Sequence, residues 1–359
     1  MKKFEQLFKK ILLRILLSIK PVNKNSQLSK SNSESSLLFI RLNRIGDALI
    51  TTPLLDQVKK KLGCKIYVLA DKKNHFVFLN NPSVDEVIVF DKKLKSFFGI
   101  NRLIKNHNIN AIIDLHDDVS TTVSFLIALA GVKYKFGLKK SNYSIYSHTV
   151  DRLDPENNHV VDRIVKLSEL LSFIPDYDNL RVKYYPKEID ITEASQKLSK
   201  INPGHKILIG INISAGSYAR FWGTERYRSL IGLLSDFDLN YVLFCSPSDI
   251  ELAKKISNSE KIYPTSDNFS IFAAGIQNVD FLITPDTSAV HLASVKSIPV
   301  FGLYVKYKTA DMIWSPYNTK FDCVVTEEPT LENMSFEQVK NKLIPFLETT
   351  LNVKANSRM

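Results

Sequence analysis

The common phosphate-binding fingerprints are missing from this sequence. It holds no G-x-G-x-x-G and no G-x-x-x-x-G-K-[ST], so a dinucleotide-dependent dehydrogenase or a P-loop nucleotidase lacks its signature. It has no G-x-S-x-G elbow, which removes the usual serine hydrolase. Cysteine is scarce: Cys64, Cys245 and Cys323 are far apart and odd in number. No disulfide framework or thiolate metal cluster follows from them, which fits a reducing compartment. The N-terminal stretch "MKKFEQLFKKILLRILLSIKP" is apolar but broken by Lys9, Lys10 and Arg14. It is a poor transmembrane span, and without a small-residue cleavage site it is a poor signal peptide. No internal repeat is visible.

What the sequence does hold is enough chain for two cores: 359 residues, 44% apolar and 24% charged, a balance suited to globular domains. The net charge of +11 is uneven. The first 36 residues carry +6 and the other 323 only +5, so the basic character belongs to the tail. This argues against a nucleic-acid-binding face on the body. Within the tail, Phe4, Leu7, Phe8, Ile11, Leu12, Ile15, Leu16 and Ile19 recur at helical spacing. A basic amphipathic helix is therefore expected over 1–20, ended by Pro21 and followed by a flexible linker over 21–36. Two readings stay open. The helix docks on an anionic membrane surface, the favoured one, or it packs on the protein's own body.

The body alternates short strands with helices, the mark of βαβ units and parallel sheets. Strands are expected at "SLLFIRL", "KIYVLAD", "EVIVFD", "AIIDLH" and "KYKFGL", with helices over 47–62, 97–107, 120–130 and 158–174. The pattern restarts with strands "KILIGINIS", "NYVLFCS", "DFLITPD" and "PVFGLY", a segment "KIYPTS", and helices over 225–235, 248–257, 269–276 and 287–296. Two consecutive doubly wound domains are expected. The first spans 37–185, a hinge with a helix at 191–200 covers 186–200, the second spans 201–334, and a closing helix and tail occupy 335–359.

Ligands bind parallel α/β sheets beyond the carboxyl ends of the strands, so polar residues just after strands carry the functional signal. Five such clusters occur: "RLNRIGD" at 41–47, "HDD" at 116–118, "SAGSYARFWGTE" from Ser214, "SPSD" at 246–249 and "PDTSAVH" at 285–291. Thr287 and Ser288 fall at a helix start, where free N–H groups suit a diphosphate. The plainer alternative is that Asp286 or Thr287 merely caps that helix. Gly216 and Ser217 let backbone approach a ligand, with Arg220 as a nearby cation. The acid pair in "DFD" at 236–238 precedes a strand and sits at the wrong edge.

These motifs resemble glycosyltransferase family 9, the heptosyltransferases of lipopolysaccharide core assembly. The resemblance covers residues 37–345 through "RLNRIGDALITTPLL", "DLH" at 114–116, "HVVDR" at 159–163, "SAGSYARFWGTERY" and "PDTSAVHLA". It implies a GT-B architecture, two Rossmann-like domains facing a central cleft, with the donor nucleotide held by the second and the acceptor by the first. It implies an inverting transfer of a sugar, typically heptose from ADP-heptose, with no metal and no cofactor beyond the donor. Asp47 falls at the general base. Arg220 falls where the family often has lysine beside the donor phosphates, and Asp249 near its ribose-binding acid, usually glutamate. Asp286 falls at a donor-sugar contact, and Thr287, Ser288 and His291 in the phosphate-binding helix start. Ser217 joins this donor set. The chain departs from the pattern in reading "DTS" for "DTG" and in the shorter acid at 249, and both bear on donor identity.

An inverting transfer needs a base on the acceptor side, opposite the leaving diphosphate. A carboxylate on a Gly-turn after the first strand suits that place, although Arg44 pairing structurally with Asp47 is the alternative. Arg41, Asn43 and Arg44, with His116 and Asp117, are the candidate contacts to an anionic glycolipid acceptor. The expected setting is the inner face of the cytoplasmic membrane, held peripherally through residues 1–20, with no nucleic-acid partner. A transferase using another nucleotide sugar or a protein acceptor, and a catalytically silent nucleotide-sugar-binding scaffold, are the competing readings.

Overall fold

The computed structural model describes residues 2–24 and 33–354. Half of the expected linker over 21–36, residues 25–32, lies outside the described residues. The chain divides into two compact units, Met1–Tyr185 and Pro186–Met359.

The first unit runs α1 (Lys2–Ile19), β1 (Ser36–Ile40), α2 (Ile45–Leu49), α3 (Thr52–Leu62), β2 (Lys65–Asp71), β3 (Glu86–Phe90), α4 (Leu94–Asn106), β4 (Ala111–Asp114), α5 (Thr121–Leu129), β5 (Tyr134–Lys139), β6 (His148–Asp151) and α6 (Val160–Val165). Its six strands form an all-parallel sheet in the order β3-β2-β1-β4-β5-β6. Every residue of β1, "SLLFI", is buried, as expected of a central strand covered on both faces. The helix expected over 47–62 is two helices. Pro53, in the first turn of α3, has no N–H for an i−4 bond and a ring that clashes with the preceding turn, so the chain breaks at Ile50–Thr51. The helix expected over 158–174 is α-helical only to Val165, then tightens to a 3₁₀ stretch, Lys166–Leu171, that stops at Ser172 in the left-handed region. Strand β6, not expected, is four half-exposed residues at the sheet edge, reached from β5 by only residues 140–147. Helix α1 lies against α5, and its Leu13 and Leu17 join the apolar layer under α4 and α5.

The second unit runs α7 (Glu188–Ile201), β7 (Leu208–Asn212), α8 (Thr224–Leu234), β8 (Asn240–Phe244), α9 (Ile250–Ile256), α10 (Phe269–Ile276), β9 (Phe281–Pro285), α11 (Ser288–Val295), β10 (Val300–Val305), β11 (Phe321–Thr326) and α12 (Phe336–Leu351). Its sheet is again parallel, ordered β11-β10-β9-β7-β8. The segment expected as a hinge forms α7, which packs on α10 and is tied to it where Asn268 Nδ2 donates to Asp190 Oδ1 at 2.8 Å. "KIYPTS" makes only an isolated bridge, Ile262 to Leu243. Strand β11, not expected, is a half-exposed edge strand.

Both sheets reverse direction once. In the first unit β2 and β3 step away from β1 on one side, while β4, β5 and β6 step away on the other, so the reversal falls between β1 and β4. In the second unit it falls between β7 and β9. Loops leaving those strands at the carboxyl edge splay apart there, which opens the crevice where such folds take ligands.

Candidate functional site

In the first unit the crevice is bridged by Arg41, the first residue beyond β1. It is 2% exposed. Its Nη1 donates to the Leu115 carbonyl after β4 at 2.8 Å, and its Nη2 pairs with Asp47 Oδ1. Asp47 stands in the first turn of α2, 18% exposed, and its Oδ2 has no partner among the described residues. The loop between them turns through Asn43, at φ 85°. That turn is held from β2: Asn43 N–H donates to Asp71 Oδ2 at 3.1 Å, and Asn74 Nδ2 donates to the Arg41 carbonyl at 3.1 Å. Lys92 Nζ completes the brace at 2.7 Å from Asp71 Oδ2. Burial opposes the Asp71 charge, but Lys92 and the N–H groups of Lys73 and Asn43 outweigh it and hold the carboxyl below its ordinary value.

Behind Arg41 lies a second buried cluster on β4 and β5. His116 Nδ1 is 2.7 Å from Asp114 Oδ1, and Leu42 N–H donates to His116 Nε2 at 3.3 Å. An Nε2 that accepts leaves the proton on Nδ1, so the ring donates to Asp114. Asp114 Oδ2 also takes Lys140 Nζ at 3.0 Å and the Tyr146 hydroxyl at 2.5 Å. Burial works against ionised Asp114, yet Lys140, His116 and Tyr146 outweigh it and hold the carboxyl far below the usual range. Burial likewise holds His116 below its ordinary value, helped by Arg41 and Lys140 and resisted by Asp114.

Three of the expected acceptor contacts have partners within the fold. Arg41 is buried against Asp47 and Leu115. His116 has both ring nitrogens engaged within the fold. Asp117, 5% exposed, is held by Arg152 at 2.6 and 2.9 Å and by Arg163 at 3.3 Å. All three are engaged by partners within the first unit and brace the crevice. Asn43 and Arg44 remain exposed beside it. Arg44, offered as Asp47's structural partner, does not pair with it; Arg41 does.

In the second unit Arg220 and Asp286 span the reversal between β7 and β9. Arg220 Nη2 lies 3.0 Å from Asp286 Oδ2, and Nη1 donates to the Asp286 carbonyl at 3.0 Å. Asn212, at the end of β7, donates to Thr284 Oγ1 at 3.0 Å and Thr287 Oγ1 at 3.3 Å. Thr287 caps α11, its hydroxyl accepting from Ala289 N–H at 3.2 Å, so the capping role weighed against the ligand role is present. Ser288 begins the helix half-exposed. His291 is buried one turn in, its ring 6.4 Å from that of Trp314. Asp249 accepts from Ser214 Oγ at 2.5 Å and Ser246 Oγ at 2.7 Å, joining the ends of β7 and β8. Gly216, at φ 65°, and exposed Ser217 lead into Arg220, and a Cβ on Gly216 would meet only open space.

The loop carrying Arg220 is stapled to the far end of the chain. Trp222 Nε1 donates to the Met334 carbonyl at 2.9 Å, and the Tyr218 hydroxyl donates to Glu332 Oε1 at 2.9 Å. Arg226 links both ends, donating to the carbonyls of Trp222 at 2.7 Å and Glu332 at 2.5 Å. Sequence reasoning passed over Asp71, Lys92, Lys140 and Asn212 as site-building residues. Asp71, Lys140 and Asn212 end or follow parallel strands, so the carboxyl-edge rule could have found them.

The model of the family described as "Glycosyltransferase family 9 (heptosyltransferase)" matches residues 98–344. Among curated proteins, the lipopolysaccharide core heptosyltransferase OpsX of Haemophilus influenzae is 23% identical over 300 residues, covering 80% of this chain and 83% of its own. Among solved structures, a family 9 glycosyl transferase from Veillonella parvula superposes with a TM-score of 0.76 at 21% identity, over 90% of this chain and 100% of that one. The E. coli heptosyltransferase WaaC, solved with ADP, gives a TM-score of 0.67 at 17% identity, over 87% and 99%. The fold is thus that of these GT-B enzymes.

Proposed function

This chain belongs to glycosyltransferase family 9, and we propose that it is an inverting transferase moving heptose from ADP-heptose to a lipopolysaccharide core or related glycolipid. In this reading the second unit binds the donor and the first binds the acceptor. Asp47 is the general base that takes the proton of the attacking hydroxyl as the sugar–phosphate bond breaks. The observation that carries this reading is the Arg41–Asp47 pair at the sheet reversal. It engages one carboxylate oxygen and leaves the other to receive a proton. Asn43 and Arg44, exposed beside it, contact the anionic acceptor.

On the donor side, Arg220 and the N-terminus of α11 meet the charge that grows on the leaving diphosphate, a task that metal ions perform in other transferases. Turnover is accordingly independent of added metal and survives chelators. Asp286 orients the donor sugar, and Asp249, held by Ser214 and Ser246, faces the ribose. Ser217, Thr287, Ser288 and His291 complete the donor set. A glycolipid acceptor sets the reaction at the inner face of the cytoplasmic membrane, and residues 1–20 are the element assigned to that surface.

A second reading keeps the reaction and changes the donor sugar. It is favoured by Ser288 in place of glycine and by the shorter acid at 249. Turnover measured across ADP-, UDP- and GDP-sugars with a lipid-core acceptor tests both. The proposal expects ADP release from ADP-heptose that depends on acceptor and gives product of inverted anomeric configuration. Faster turnover of another nucleotide sugar favours the second reading, and release without transfer to acceptor overturns both.

A further inference from the structure

Helix α1 is joined to the body on one side and left apolar on another. Leu13 and Leu17 pack into the layer beneath α5. Ile11, Leu12, Ile15 and Ile19 face away and are 46, 44, 51 and 72% exposed. Their spacing of i, i+1, i+4 and i+8 gives a second apolar row, distinct from the Leu13–Leu17 row. A helix that served only to pack on its own domain needs one apolar side, and this helix has two.

The row belongs to a wider surface. Helices α4 and α1 both flank α5 over the same face of the first sheet. On α4, Phe98 is 72% exposed, among the exposed cations Lys95, Arg102 and Lys105. Across α1, α4 and α5 the sequence carries eight Lys and Arg and a single acid, Glu5. No described helix is long and apolar enough to cross a membrane. The charge decides the occupant. A second copy would set this cationic layer against itself, whereas an anionic lipid surface complements it and takes up the aliphatic row.

We propose that the outer face of the α4–α5–α1 layer docks on an anionic bilayer surface, with Ile11, Leu12, Ile15, Ile19 and Phe98 entering the headgroup region. The inference rests on the assignment of residues 1–20 to a membrane surface and makes it more specific. The helix is no loose tether. Fixed to α5, it holds the acceptor-binding unit itself against the lipid, where a glycolipid sugar emerges.

The test is flotation of the full chain with vesicles of phosphatidylcholine alone or mixed with phosphatidylglycerol. The wild-type chain is expected to float with the mixed vesicles only, and less so as salt rises. Ile15→Glu/Ile19→Glu should weaken that binding by at least about tenfold, and Phe98→Glu should weaken it by less. All these side chains are exposed, so melting temperatures should match wild type. Equal flotation of the double variant overturns the proposal. So does a wild-type chain that ignores the vesicles and sediments as a dimer that the double variant dissociates. Turnover with a soluble acceptor, read on the same preparations, reports sugar transfer separately. Its loss would count against the transferase reading and not against the docking face.

Discussion

Arg41 and Asp47 are paired across six positions of chain, a separation at which no single helix would bring them together. They meet because the chain leaves β1 with Arg41 pointing into the sheet reversal, turns at Asn43, and starts α2 with Asp47 on the same side. The pair makes Asp47 part of the structure as well as the proposed base. The two roles separate by choice of substitution.

Asp47→Asn keeps an oxygen for Arg41 to bond but cannot take a proton. It should lower turnover about 10²–10⁴-fold while the melting temperature changes little. Asp47→Ala and Arg41→Ala each strand a partner of a buried pair. They should cost stability too, on the order of 3–5 kcal/mol for the guanidinium, which is the more deeply buried member. Arg44→Ala should leave stability within about 0.5 kcal/mol of wild type and raise only the acceptor KM. Chemical denaturation and steady-state kinetics on the four proteins check this. Near-normal turnover in a folded Asp47→Asn protein would end its candidacy as the base.

Arg220→Ala should affect donor use with little effect on folding. The Arg220–Asp286 pair is a third to a quarter exposed, so it adds little stability. Its loss should cut turnover by roughly 10²–10³-fold if the guanidinium stabilises the leaving diphosphate. Isothermal titration with ADP and initial-rate kinetics separate a binding loss from a rate loss. Unchanged values in both would move the diphosphate site elsewhere.

Stability should fall as pH drops below about 6.5, and His116 should account for that first loss. Its folded-state value lies below its ordinary value, so between the two the unfolded chain binds the extra proton. The His116 contribution is full above the unfolded value and is lost as pH falls through the folded one. Asp114, also held low in the folded state, keeps its contribution until far stronger acid. His116→Gln should flatten the melting temperature between pH 7 and 5, roughly the range in which an ordinary histidine titrates. An unchanged slope would mean another group titrates there.

Gly137→Ala should disturb the same cluster from outside. A Cβ at Gly137 would meet the Tyr146 ring at 2.5 Å, and Tyr146 is held by its hydroxyl on Asp114. The ring must shift, at a cost of about 1–3 kcal/mol. Pairing this variant with Asp114→Asn in a double-mutant cycle should show non-additive losses, and simple additivity would separate the ring from the carboxylate.

The central strands and the clusters after them could be read from sequence because buried parallel strands are short apolar runs and their carboxyl edges are polar. The edge strands β6 and β11 could not, because half-exposed edges carry mixed residues such as "HTVD" and "FDCVVT". The motif around Asp47 stood out, but its partner did not. Arg44, three residues before Asp47, has the spacing of a helical pair, and only the burial of Arg41 decides between them. His116 and Asp117 were visible as polar residues at the correct edge. That they face inward depends on Asp114, two residues before His116, and on Arg152 and Arg163, which the fold brings in from distant segments.

The staple between Trp222 and Met334 also sets an order in time. A chain made from its N-terminus completes the first unit once residue 185 has emerged, and domains tend to fold as they appear. The loop with Arg220 is made soon afterwards, but its anchors at Glu332 and Met334 come more than a hundred residues later. On the ribosome, the surface proposed for lipid and acceptor is finished first. The loop proposed to grip the donor stays unanchored until residues 332–334 arrive to hold it.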